Sequence, residues 1–277
     1  MYSNYLVERA MRNNKIWDQI SGYINNYSST IDLSDKSITL VCVSDIQLEK
    51  SVLSFLNCMG RVKFTKTLFL TSKVDHPYLE KIKKYSKIKR IYPLTSLQEY
   101  CKFIVKDLYH HIETDYLLIV QYDGTIVRQD AWTDEFLNYD YIGAPWPEHI
   151  IVDRIKYPSL LSKFPENAVG NGGFSLRSYK LMKFIAELPN IDTILKRRSY
   201  IEDVLYAGDY ETVGLYKDQG IKIAPYDLAG YFSYEFEHKF ALRKWFGTHG
   251  RYMHISQRFM DSIDENKLMN RIKEIYD

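Results

Sequence analysis

The chain has little of what marks an extreme class of protein. Its three cysteines, Cys42, Cys58 and Cys101, form no close pair and leave an odd number, so neither a disulfide framework nor a zinc cluster is indicated, and a reducing, cytoplasmic setting is the expectation. Neither sign of charge dominates. Lys plus Arg number 37 against 35 Asp plus Glu, a net charge of +2, so the broad positive field of a nucleic-acid binder is missing and no nucleic-acid partner is expected. No run approaches the roughly 18 apolar residues needed to cross a bilayer, so any membrane association should be peripheral or through a partner. Glu8, Arg9, Arg12, Lys15 and Asp18 interrupt the first twenty residues, which argues against a secretory signal. Internal repeats, low-complexity tracts and linkers are also lacking.

What is present is an apolar fraction of 45% in 277 residues, enough for the core of one large α/β domain. Ile38 to Val43 (ITLVCV) is a continuous apolar run ending in Ser44-Asp45, the pattern of a buried parallel strand opening into a loop. Gln47 to Met59 has helical apolar spacing. Thr67 to Leu70 reads as the next strand, followed by Thr71-Ser72-Lys73, and Ile88 to Tyr92 as a third. Leu97 to His111 reads as a helix, and Tyr116 to Val120 (YLLIV) as a fourth strand running into Gln121-Tyr122-Asp123-Gly124. This alternation predicts a mostly parallel sheet with helices on its faces. Beyond Asp130, Gly143 to Pro147, Tyr157-Pro158 and Phe164-Pro165 predict a long loop excursion of the kind that forms binding surfaces. Ser178 to Leu188 predicts a helix with Leu181, Phe184, Ile185 and Leu188 on one face, and Tyr200 to Tyr206 the start of another. Residues 1–33 read as a helical extension.

Ligands of open α/β sheets collect beyond the carboxyl ends of strands, where Asp123 lies. A carboxylate there can bind a divalent cation that bridges diphosphate oxygens, although Asp-Gly is equally a turn pair. Val169 to Arg177 (VGNGGFSLR) places three glycines in four positions before a helix, which permits close backbone approach and exposed N–H groups. Glu202-Asp203 at a helix start either complements the helix dipole or supplies a general base. His249, set between glycines in FGTHG, is placed to complete a metal shell with Asp123, or is structural. Trp146, between Pro145 and Pro147, offers a face for stacking on a sugar or plugs the core.

Taken in order, strand-end Asp, glycine loop, acidic pair and late His resemble the GT-A glycosyltransferases, in which an Asp-containing loop and a C-terminal His share a divalent cation. QYDGTIV, AWTDEFLNYDYIGAPWP, VGNGGFSLRS, EDVLY and FGTHG together resemble the DUF5672 domain family, itself GT-A-like, over roughly Ile38 to His249. The resemblance implies a single α/β domain of GT-A (Rossmann-like) type over residues 34–277, with a nucleotide-sugar half at 34–130 and an acceptor and catalytic half at 131–277. It makes Asp123 the equivalent of the last carboxylate of the usual Asp-x-Asp motif. Gln121 stands at the first position, where it can still hydrogen-bond a ribose hydroxyl. Val43, Ser44 and Asp45 fall where GT-A enzymes meet the nucleoside, beside Tyr122, with Lys73 placed to approach the base or phosphates. Asn171, Gly172, Gly173 and Phe174 resemble the loop that floors the donor-sugar and acceptor cleft. Asp203 aligns with the catalytic base of inverting members, ahead of Glu202.

The implied activity is Mn²⁺- or Mg²⁺-dependent transfer of a sugar from a nucleoside-diphosphate donor, UDP by analogy, to a hydroxyl of a glycan, lipid-linked or protein acceptor, with inversion. Two alternatives differ in class: a non-catalytic glycan-binding module using Trp146 and the glycine loop, and a nucleotidyltransferase or phosphohydrolase on a similar sheet. The latter generally needs more carboxylates or histidines close together than the sequence offers.

Overall fold

The run ITLVCV is buried at every position and is the second strand among the described residues, as a segment apolar on both faces requires. In the computed structural model, which describes residues 14–146, 168–197, 201–207, 210–235, 244–250 and 255–277, the strands are β1 (Ile31–Leu33), β2 (Ile38–Val43), β3 (Val62–Phe64), β4 (Lys66–Thr71), β5 (Lys87–Arg90), β6 (Tyr116–Val120), β7 (Gly124–Ile126), β8 (Tyr141–Ile142), β9 (Ala144–Pro145), β10 (Val169–Gly170), β11 (Phe174–Ser178), β12 (Ser233–Tyr234) and β13 (Gly247–His249). Pro147, Tyr157-Pro158, Phe164-Pro165 and Tyr200, on which part of the loop and helix-start reading rests, lie outside these residues, as do residues 1–13.

Six strands form the central sheet in the order β5-β4-β2-β6-β11-β8. The first four run parallel, as the strand–helix alternation predicts. β11 then reverses and pairs antiparallel with both β6 and β8. The register pairs Val41 with Ile119 across β2 and β6, so Val43 and Gln121, each two residues further on, end level at the carboxyl edge. A second sheet, β12-β13-β7, hangs beyond that edge.

Helix Leu48–Arg61 covers the sheet, and the C-terminal helix Glu265–Tyr276 packs on it. The expected single helix over Leu97 to His111 is instead α-helical over Leu97–Lys102, widened to a π-turn over Phe103–Asp107 and tightened to 3₁₀ over Leu108–His111. Phe103, Ile104 and Val105 are all buried, and three consecutive core-facing residues exceed the apolar stripe of a regular α-helix. Helix Tyr179–Ala186 begins where the sequence predicts, with Ser178 Oγ accepting the Leu181 N–H at 3.0 Å. Ahead of the main sheet, residues 14–20 are helical and bury Ile16 and Ile20 against Val127, Trp245 and Phe259. β1 pairs in parallel with β3.

Candidate active site

Chain reversal at Gln121–Gly124, closed by the Gly124 N–H on Gln121 O at 3.1 Å, starts β7 directly after Asp123. β7 pairs antiparallel with β13, and the register sets Gly124 opposite His249. Gly250 N–H donates to Asp123 O at 3.1 Å. Two residues distant in sequence are thereby fixed side by side: His249 Nε2 lies 3.3 Å from Asp123 Oδ1, with side chains 15% and 11% exposed. His249 Nε2 makes no aligned hydrogen bond among the described residues, so the contact is ionic in distance but not directed like a hydrogen bond.

On the other side of the ring, His249 Nδ1 lies 3.1 Å from Glu235 Oε1. Glu235 follows β12, whose parallel pairing of Tyr234 with Thr248 brings it alongside His249. Burial alone would lower the imidazole pKa, but the pull of Asp123 and Glu235 outweighs burial and lifts it to about 10. Glu235 is a site residue the sequence reading missed. Its segment, SYEFEHK, looks like a solvated charged run, and only the pairing of β12 with β13 reveals its place.

The glycine loop lies against this pair. A Cβ at Gly173 would collide with His249 and Gln121, and one at Gly172 with the Glu202 carboxylate, so both positions are glycine because side chains of the site occupy the space. The loop's N–H groups at Gly173 and Phe174 do not face a ligand, as the sequence suggested. They turn inward to Asn171 Oδ1 at 2.9 and 3.2 Å, with Asn171 at φ 85°, a left-handed conformation that asparagine tolerates. Gln121 N–H donates to Gly173 O at 2.9 Å. Phe174 itself is fully buried, its ring packed at a tilt against those of Phe232 and Phe246. Trp146 is 6% exposed, its indole filling the space above Gly170, which is the core-plug arrangement.

The paired acids have different surroundings. Glu202 is buried in an ion pair with fully buried Arg177 at 3.3 Å, and Arg177 also donates to Gly172 O and Ser175 Oγ and lies 4.2 Å from the Tyr206 ring centre. Glu202 therefore anchors the glycine loop. Asp203, one residue on, has a carboxylate raised to about 7, chiefly by burial and then by the charges of Glu202 and Glu235. A carboxylate titrating near neutrality suits proton abstraction.

At the carboxyl edge of β2 and β6 opens a cleft of about 290 Å³, lined by Val43, Ser44, Asp45, Ile46, Leu97, Tyr100, Gln121 and Tyr122 among others. Its volume sits near the lower end of small-molecule sites, about 300 Å³. Asp45 is committed inside the protein, accepting from Thr71 Oγ1, Ser72 N and Leu94 N at 2.7 Å each, and these bonds hold its pKa below the usual range despite burial. It braces three strand-end loops. Lys73 reaches the same corner through Nζ on the Asp45 carbonyl at 2.7 Å. Ile46 and Leu97 are 59% and 64% exposed, and Gln121 Nε2 donates to Tyr100 OH at 2.7 Å. Ile46, Leu97 and Tyr100 were not singled out from sequence, because lone apolar and tyrosine residues carry no motif.

The chemistry of the pair suits a divalent cation. Cis ligands at about 2.1 Å from an octahedral ion stand about 3 Å apart, close to the observed Asp123–His249 spacing. Among the described residues no three His, Cys, Asp or Glu side chains gather around one point, so a cation at this pair would have two protein donors there and would leave its other positions to phosphate oxygens and water, as Mg²⁺-type ions accept. The nitrogen donor favours Mn²⁺ of the two.

A family model described as "Protein of unknown function (DUF5672)" matches residues 82–249, more than half of the chain. No curated protein matches in sequence. Among solved structures, the apo-form glycosyltransferase GlyE of Streptococcus pneumoniae TIGR4 aligns with a TM-score of 0.50 at 13% identity, over 86% of this chain and 64% of that one. The galactosyltransferase LgtC, solved with donor and acceptor sugar analogues, aligns at 0.49 and 11%, over 81% and 94%. Mannosyltransferase PcManGT from Pyrobaculum calidifontis, solved with GDP-Man and Mn²⁺, aligns at 0.42 and 6%, over 79% and 64%. This chain thus spans less than two thirds of GlyE and PcManGT. At these identities the likeness is one of fold, a GT-A fold in a single domain.

Proposed function

Because the chain belongs to the DUF5672 family and has the fold of GT-A glycosyltransferases, we propose that it transfers a sugar from a nucleoside-diphosphate donor, with UDP the first candidate, to a hydroxyl of a glycan, lipid-linked or protein acceptor. The observation that carries this reading is the Asp123–His249 pair, 3.3 Å apart beside the glycine loop and beyond the carboxyl edge of the sheet.

The nucleoside occupies the cleft between Ile46 and Leu97, where apolar faces suit a base and Gln121 reaches a ribose hydroxyl. Asp123 and His249 hold Mn²⁺ or Mg²⁺, which when bound offsets the negative charge that develops on the departing diphosphate. Asp203 takes the proton from the acceptor hydroxyl, which attacks the anomeric carbon in a single displacement with inversion. Glu202 and Arg177 keep the glycine loop in place beneath the reacting groups.

Product analysis tests the reading. Incubation with UDP-, GDP-, CDP- and dTDP-sugars and Mn²⁺ should release an intact nucleoside diphosphate from one of them, and Asp123→Ala should release none. Pyrophosphate as the product would assign nucleotidyl transfer instead. No binding of any nucleotide, with or without Mn²⁺, would favour the glycan-binding module.

A further inference from the structure

Glu235 is a carboxylate only 12% exposed, and among the described residues its one side-chain hydrogen bond is accepted by Oε1 from His249 Nδ1 at 3.1 Å, while Oε2 has no partner. Burying a carboxylate is unfavourable unless something in the site needs it. Nothing else nearby does: no Lys or Arg pairs with Glu235 among the described residues. The backbone is arranged to deliver it, since Thr248 Oγ1 donates to Tyr234 O at 2.8 Å and locks the parallel pairing of β12 with β13 just before Glu235 and His249 emerge together.

We propose that Glu235 is a positioning residue for the metal site: it accepts the Nδ1–H of His249, so that when a cation displaces the Nε2 proton the lone pair it frees faces Asp123. An imidazole that donates through one nitrogen to a carboxylate presents the other as a stronger and better oriented ligand, and loss of such a partner typically lowers metal affinity by about 10–100-fold. Without Glu235 the ring can rotate about its χ angles, or the neutral ring can keep its one proton on Nε2, where a lone pair is needed. This inference rests on the proposed reading of Asp123 and His249 as metal ligands, and it adds a residue outside every motif that led to that reading.

The test is Mn²⁺ binding, read from loss of the free-ion EPR signal, with Mn²⁺ alone and with UDP, GDP, CDP or dTDP. Wild type, His249→Ala, Glu235→Ala and Glu235→Gln are compared, with folding of each verified by circular dichroism. Glu235→Ala should bind Mn²⁺ about 10–100-fold more weakly than wild type. Glu235→Gln, whose amide oxygen still accepts the Nδ1–H, should stay within a few-fold. If wild type binds and His249→Ala does not, but folded Glu235→Ala binds like wild type, the metal site stands and the role of Glu235 is overturned. Equal loss in Glu235→Gln and Glu235→Ala would also overturn it, because charge rather than ring orientation would then be the cause. Absence of Mn²⁺ binding by wild type under all conditions would overturn the metal site and this role together.

Discussion

At the scale of single residues, adjacent acids have been given opposite tasks by their surroundings. Glu202 is spent on Arg177, whereas Asp203 keeps a carboxylate that burial and its acidic neighbours raise to about 7. Turnover should therefore rise with pH along an acid limb near 7, and Asp203→Asn should lower turnover about 100-fold or more while nucleotide binding survives. The same shift predicts a stability effect. With a folded pKa above the unfolded value, Asp203 contributes fully at low pH, and that contribution is lost as pH rises from about 4 through about 7. Asp203→Asn should melt increasingly above wild type over that range and hold its advantage at pH 8. Equal melting temperatures at pH 8, with turnover unchanged, would move the base elsewhere. The sequence made Asp123, His249 and Asp203 visible because each sits in a short motif with turn or helix-start chemistry. It hid Glu235, Arg177 and the inward commitment of Asp45, because their partners lie on other strands and a sequence does not record who satisfies a buried charge.

At the scale of elements, the site depends on β7, a three-residue strand that could not hold its own position. One edge pairs with β13. The other is gripped by polar residues of helix Leu48–Arg61: Ser54 Oγ donates to Gly124 O, Asn57 Nδ2 to Ile126 O and Thr125 Oγ1 at 2.8 and 2.7 Å, and Arg61 to Val127 O at 3.0 Å. These residues recur at helical spacing, and their side chains substitute for a neighbouring strand. Asn57→Leu would strand several buried groups and should lower stability by roughly 2–5 kcal/mol, measured by urea unfolding. A change below about 0.5 kcal/mol would mean that β13 alone holds β7. The apolar runs announced β2, β4 and β6 nearly to the residue, since a strand buried on both faces must be continuously apolar. Short strands such as β7, β12 and β13 have no such signature. They are strands because of what lies beside them.

At the scale of the whole molecule, the described segment over residues 14–27, the C-terminal helices and the site pack together. Arg61, fully buried and without a carboxylate partner among the described residues, donates to Val127 O, Gln129 Oε1 and Tyr23 O and lies over the rings of Tyr27 and Phe259. Burial lowers its pKa to about 10. Through it the N-terminal segment, the strand that follows Asp123 and the C-terminal region share one core, so binding at the site should register in global stability. The most direct measurement of the central claim is the thermal unfolding of wild type and Asp123→Ala with UDP, GDP, CDP and dTDP, each with and without Mn²⁺. The account predicts that one nucleotide raises the wild-type melting temperature only with Mn²⁺, and that Asp123→Ala loses the rise while remaining folded. Stabilisation of equal size in Asp123→Ala, or none by any nucleotide with Mn²⁺, would contradict it.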